Sequence, residues 1–259
     1  METCRYCGNN LLSTGVCSNV MCSPSNNEMF KELASKVRSR LYTPESNITD
    51  LVCLRDVESQ TEDICLEAVR HNGMELQFVK KQTLEICLEA VRQTGLALQY
   101  VQEQTPELCL AAVEQDGLAL QYVKDQTSEL CLAAVQQSGE ALQYVKQKTP
   151  EICLEAVQQN GWALDFVDNQ TPEICLTAVK RHGLALQYVK EQTSEICLEA
   201  VKSDGLSLDF VKDQTLDVCV EAVLNNITAL NCIKDKHMRK AVEDHLKLIG
   251  VNIKDFYCF

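Results

Sequence analysis

The chain has 259 residues, 46% apolar and 24% charged, which allows one large domain or two small ones and argues against wholesale disorder. It contains no run of about 18 apolar residues, so no spanning helix is expected. A net charge of −13 argues against general binding to nucleic acid or anionic membranes.

The first predicted element is a metal module over residues 1–26. Cys4-Arg5-Tyr6-Cys7-Gly8 places two sulfurs on one tight turn, and Cys17 and Cys22 complete the pattern C-x2-C-x9-C-x4-C. Four thiolates suit a tetrahedral, structural Zn2+ and leave no open position for catalysis. The segment resembles a small zinc ribbon or zinc knuckle, although the Cys17–Cys22 gap is wider than the usual second pair. With so few apolar residues between Cys4 and Cys22, the metal would supply most of the folding free energy. The alternative is a disordered tail with free or redox-active thiols. Ser23 to Asn27 reads as a linker. Residues 27–50 then hold an amphipathic helix over Glu28–Leu41, with Phe30, Leu33, Ala34, Val37 and Leu41 on one face. It is expected to cap the next domain or to dock a partner.

Residues 51–236 are a tandem repeat. Cys65, Cys87, Cys109, Cys131, Cys153, Cys175, Cys197 and Cys219 are each 22 residues apart, and rows of Thr, Gly and Val keep the same step. In Thr171–Gln192, Thr171 suits an N-cap, Pro172 the first helical position and Glu173 the positive end of the helix dipole. Ile174, Cys175, Ala178 and Val179 form an apolar face at helical spacing. Gly183 is expected to end the helix in a left-handed conformation. A second short helix is expected over Leu184–Lys190, with Leu186 and Val189 inward. Half-units, Leu51–Gln60 and Thr228–Lys236, flank the array. Such a helix pair cannot bury its own face, so neighbours must stack into an α-solenoid. At about 8–10 Å per helix spacing, eight units give a rod on the order of 80 Å. Equivalent cysteines then lie beyond disulfide reach and read as small buried apolar residues.

The words E-I-C-L-E-A-V (Glu151–Val157), G-L-A-L-Q-Y-V (Gly183–Val189) and Q-T-P-E (Gln170–Glu173) resemble tandem repeats of an uncharacterised family, a domain of unknown function. That family is widespread in giant amoebal DNA viruses and in bacteria. The resemblance covers about residues 51 to 236, with a compact 22-residue unit. It implies a helical repeat and a viral source, and it supplies no activity or site residues.

Residues 237–259 are expected to hold a C-terminal capping helix (Met238–Ile249, with Ala241, Val242, Leu246 and Ile249 on one face) and an aromatic tail, Phe256 to Phe259. The excess negative charge lies in the repeats: residues 51–236 carry 15 basic and 29 acidic residues, a net charge of −14. One acid near each helix start (Asp63, Glu85, Glu107, Glu129, Glu151, Glu173, Glu195, Asp217) makes an acidic row, interleaved by Lys80, Lys124, Lys146, Lys190 and Lys212. The residue after each glycine is Met74, Leu96, Leu118, Glu140, Trp162, Leu184 or Leu206. Glu140 in that row implies exposure, which makes Trp162, with Leu96, Leu118, Leu184 and Leu206, a candidate partner-binding face. The aromatic row Phe78, Tyr100, Tyr122, Tyr144, Phe166, Tyr188 and Phe210 reads as packing between repeats.

His71, His182, His237 and His245 share no repeat register, and no phosphate loop or dinucleotide fingerprint is present. No enzyme is expected. Fifteen cysteines without a basic-then-apolar signal segment favour an intracellular, reducing compartment: host cytoplasm, nucleus or virion. The reading is an all-α solenoid with a zinc module, a monomeric protein-interaction scaffold that binds neither nucleic acid nor membrane. The alternatives are an acidic decoy for basic nucleic-acid-binding proteins and a zinc-module adaptor that recruits another enzyme. Purified protein should carry one zinc per chain by atomic emission. Cys4→Ser should lower that content and speed proteolysis of the N-terminal segment; a metal-free wild type overturns the zinc assignment.

Overall fold

The structure is a computed structural model and describes residues 53–251. The chain divides after Leu51 into two units, and all described residues lie in the second. Cys4, Cys7, Cys17, Cys22, the Glu28–Leu41 helix and the tail from Phe256 fall outside the described residues.

Among the described residues there is no strand. A short turn at Leu54–Asp56 leads into eight ten-residue α-helices: α1 (Glu62–His71), α2 (Leu84–Gln93), α3 (Pro106–Gln115), α4 (Ser128–Gln137), α5 (Pro150–Gln159), α6 (Pro172–Arg181), α7 (Ser194–Ser203) and α8 (Leu216–Asn225). Each is followed by a six-residue 3₁₀ helix, from Gly73–Phe78 through Gly205–Phe210 to Ile227–Cys232, and α9 (Lys236–Leu248) comes last. Numbering the 22-residue units from Thr61, repeat 1 is 61–82 and repeat 8 is 215–236.

Helix starts follow the expected chemistry. The Thr171 hydroxyl accepts from the Ile174 N–H at 3.3 Å, and all eight threonines do the same at 3.2–3.5 Å. Pro occupies the first turn of α3, α5 and α6. The first-turn acids, Asp63 to Asp217, are all exposed.

The helix ends differ from expectation. Each α-helix stops at one extended residue, such as His182 (φ −140°, ψ 103°), rather than at a left-handed glycine. That residue's N–H bonds back to Ala178 O at 2.9 Å, and its own carbonyl accepts from Ala185 N–H at 2.9 Å. The second bond spans three residues, so it launches a 3₁₀ helix over Gly183–Tyr188 in place of the expected α-helix over Leu184–Lys190. Side chains three apart then align. Gly183, Leu186 and Val189 are buried, whereas Gln187 is exposed and Leu184 half-buried on the outer side.

The glycine row therefore has a different cause. Among the described residues only Gly250 has a positive φ, 83°. A Cβ on Gly117 would lie 2.3 Å from the Ala134 carbonyl oxygen of the next repeat's helix, and the same approach of 2.3–2.6 Å recurs at all seven repeat glycines. Repeat 8 has Ile227 at this position. There no further repeat follows; α9 packs on α8 rather than on the 3₁₀ helix Ile227–Cys232.

Each α-helix packs on the next α-helix, each 3₁₀ helix on the next 3₁₀ helix, and each 3₁₀ helix on the α-helix that follows it. Contacts of substance join only elements of the same or adjacent repeats, which makes the described unit an all-α solenoid with nearest-neighbour packing. The core between the two layers is one continuous cluster built from repeated positions such as Ile86, Cys87, Ala90, Val91, Ala97, Leu98 and Val101. The aromatic row packs against it, half-buried. At the N-terminal end Leu54 is fully buried, its N–H donates to the Glu75 carboxylate at 2.9 Å, and the Arg55 guanidinium lies 4.7 Å above the Phe78 ring. At the other end α9 buries Val242 and Leu246, whereas Ala241 and Ile249 are exposed.

Gly117→Ala should destabilise the protein by about 1–3 kcal/mol in urea denaturation, because backbone must move to admit the methyl. Gly117→Asn should be worse still. An Asn variant as stable as wild type would return the glycine to a left-handed role.

Candidate interaction face

Two side-chain ladders hold successive repeats in register, and both rest on residues that pattern reading passed over. The first is the glutamine before each threonine. Gln126 Nε2 donates to Tyr144 O at 2.9 Å, and its Oε1 accepts from Lys146 N–H at 3.0 Å, so one amide satisfies two backbone groups of the next repeat. Gln60, Gln82, Gln104, Gln170, Gln192 and Gln214 repeat this pair of bonds. The second ladder runs from six of the seven repeat glycine N–H groups to a side chain of the next repeat, such as Gly139 to Gln159 Oε1 at 2.7 Å; Gly183, for which the next repeat has Ser203 at that register, is the exception. Their signal in the sequence is an amide side chain that recurs at a fixed register in most repeats.

The cysteine row belongs to the first ladder. All eight repeat cysteines are buried free thiols. Six of them, including Cys131 at 3.7 Å, lie in weak S–H contact with the bridging Gln Oε1. Burial raises their pKa values, that of Cys219 to about 11. They stay protonated at neutral pH and are poor nucleophiles and poor metal ligands. Among the described residues no group of three or more His, Cys, Asp or Glu could hold a metal.

The interleaving lysines are partly structural. Lys80, Lys146, Lys190 and Lys212 donate from Nζ to main-chain carbonyls of the preceding repeat at 2.7–3.0 Å.

Leu96, Leu118, Trp162 and Leu184 are all half-buried, Leu206 is 38% exposed, and Glu140 is exposed. Each is the second residue of its 3₁₀ helix. Because the 3₁₀ helices pack side by side, the structure brings these residues into one row on the outer side of that layer. Trp162 is held from repeat 6: the His182 ring stacks on it (5.7 Å, 27°) and Tyr188 meets it edge-on (6.1 Å, 83°). His182 has a second task. Arg181 stands where repeats 2 to 5 place a glutamine and offers no acceptor, so His182 Nδ1 accepts the Gly161 N–H at 3.0 Å.

The α-layer carries another apolar patch. Leu88, Leu132, Leu154, Leu176 and Leu198 are half-buried, and Leu110 is 42% exposed. Glu89 and Glu199 pair there with Arg70 and Lys180, but repeats 3 and 4 have Ala111 and Ala133 instead. A shallow depression of about 370 Å³ beside Leu110 is lined by Arg92, Glu107 and Glu114.

A family described as a domain of unknown function (DUF4116) matches residues 61–104, 105–146, 127–171, 150–193 and 171–215. The chain belongs to this family. Each match takes in about two of the 22-residue units, and together they span most of the described solenoid. No curated protein and no solved structure matches the chain. No helix among the described residues is long and apolar enough to cross a membrane.

In native protein, a thiol reagent should leave the eight ladder cysteines unmodified, while all 15 cysteines titrate after denaturation. Rapid native labelling of Cys131 or Cys153, read by peptide mass spectrometry, would contradict their burial.

Proposed function

We propose that this protein is a non-enzymatic scaffold that binds a protein partner along its 3₁₀-helix face, through Leu96, Leu118, Trp162, Leu184 and Leu206. The observation that carries this reading is the outward row itself. Eight stacked units present the same position side by side, mostly apolar and incompletely buried, on a backbone pinned by two hydrogen-bond ladders. A pre-organised face loses little entropy on binding, and Trp is the residue type most enriched at binding hot spots. The cysteine chemistry of the repeats gives no support to an active site. In the same reading Cys4, Cys7, Cys17 and Cys22 hold a structural Zn2+ and provide a second contact.

The test compares captures from native lysate by wild type and by Leu118→Asp/Leu184→Asp, with equal helicity confirmed by circular dichroism. A discrete partner that survives rising salt on wild type and is lost from the variant supports the scaffold. Identical captures from both overturn this face. A spread of basic proteins released at moderate salt would instead support the acidic-decoy reading.

A further inference from the structure

Repeats 4 to 6 contain several departures from the repeat pattern, and the structure separates them into two kinds. Some are compensated. Lys148 replaces a bridging glutamine, donates to Phe166 O at 2.7 Å and pairs with Asp168, which itself replaces a lysine or glutamine. His182 takes over an acceptor role that Arg181 cannot fill.

Others have no internal partner. Glu140 stands where repeats 1 to 3 have Met or Leu, and Asp165 stands where most repeats have Gln. Both are exposed, and among the described residues neither carboxylate makes a hydrogen bond or ion pair. Between them lies Trp162, the single tryptophan of the chain.

Asp165 follows Trp162 by three residues in a 3₁₀ helix, where side chains three apart eclipse. The equivalent Gln99 shows the consequence, since its Nε2 reaches back to Leu96 O at 3.0 Å. Glu140 occupies the Trp162 position one repeat earlier, about 8–10 Å away on the same face. His182 and Tyr188 both hold the indole from the repeat 6 side, whereas Glu140 belongs to repeat 4, on the other side of repeat 5. Both lysines of repeats 4 and 5 are engaged elsewhere, Lys146 with Lys124 O at 2.7 Å and Lys148 with Phe166 O and Asp168.

We propose that Trp162, flanked by Glu140 and Asp165, is a seat for an arginine side chain from an extended basic segment of a partner protein. This rests on the scaffold reading and supplies the partner's chemistry. A guanidinium suits the site because it can lie on an aromatic face while its N–H groups bond carboxylates of the same helix layer. The chain already makes such a contact within itself, where Arg55 covers Phe78 at 4.7 Å. Net charge favours the same occupant: repeats 4 and 5 hold six acidic residues and two lysines. Leu118 and Leu184, on either side in the row, would take apolar residues of the same segment.

The test uses full-length protein and a hexa-arginine amide as probe, followed by calorimetry and by the fluorescence of Trp162. Glu140→Leu/Asp165→Gln restores residues that the repeat itself uses, so folding is preserved. The expected result is saturable binding to wild type with a change in Trp162 emission, weakened about tenfold in that double variant. Trp162→Leu should weaken it by a similar factor in calorimetry. Glu107→Gln/Glu173→Gln removes the same charge from the helix starts and should change affinity less than twofold. Equal losses in the two charge variants, or no saturable binding, overturn the arginine seat. If hexa-arginine fails while the lysate partner still depends on Leu118 and Leu184, the seat falls and the scaffold stands. If the partner ignores both, both fall.

Discussion

The close approach of each repeat glycine to an alanine carbonyl in the next helix governs this architecture. A Cβ on Gly117 would lie only 2.3 Å from Ala134 O, well inside van der Waals contact, so no side chain fits there. That distance lets a 3₁₀ helix sit directly on the following α-helix, and everything else is stacked around it. The alanine row is fully buried from Ala90 to Ala222, because a larger side chain there would push neighbouring helices apart. Where no further repeat docks squarely, at Ile227, the requirement for glycine lapses.

Close packing alone would leave main-chain groups stranded between repeats. The glutamine ladder removes that cost, since one amide both donates and accepts, as a backbone peptide does in a sheet. Hydrogen bonds of this kind contribute about 0.5–1.5 kcal/mol each, but an unmet buried group costs more, so the ladder chiefly enforces register. Lys148 and His182 show that the constraint concerns the satisfied groups rather than the residue type. Ser207 shows the limit. It occupies an alanine position, and among the described residues its hydroxyl is the one buried side-chain polar atom without a partner.

A regular stack makes irregularity informative. Each repeat offers an outward position that its own packing does not decide, and there the chain is free to vary. At Lys148 and Arg181, substitutions that disturb an internal bond are answered by a second group nearby, Asp168 and His182. Glu140 and Asp165 answer nothing inside the described unit, and they share the 3₁₀ layer with an indole that is already clamped by its neighbours. Holding an aromatic ring in one orientation before a ligand arrives is what pre-organisation requires.

The amino-acid sequence by itself determined the all-α repeat, its 22-residue frame, the Thr caps, the buried cysteine row and the outward row containing Trp162. These follow from period, capping chemistry and hydrophobic spacing, which are local properties. Only the tertiary structure decided why the glycines are there, because an extended residue followed by a 3₁₀ helix and a left-handed cap look alike in one dimension. The same holds for the glutamine ladder, whose donors and acceptors are 18 to 20 residues apart in the chain. It holds again for His182, which meets Trp162 across a repeat boundary with no shared register to signal it. Pairings between repeats depend on the stacking distance, and that distance is set by packing rather than by any single unit's sequence.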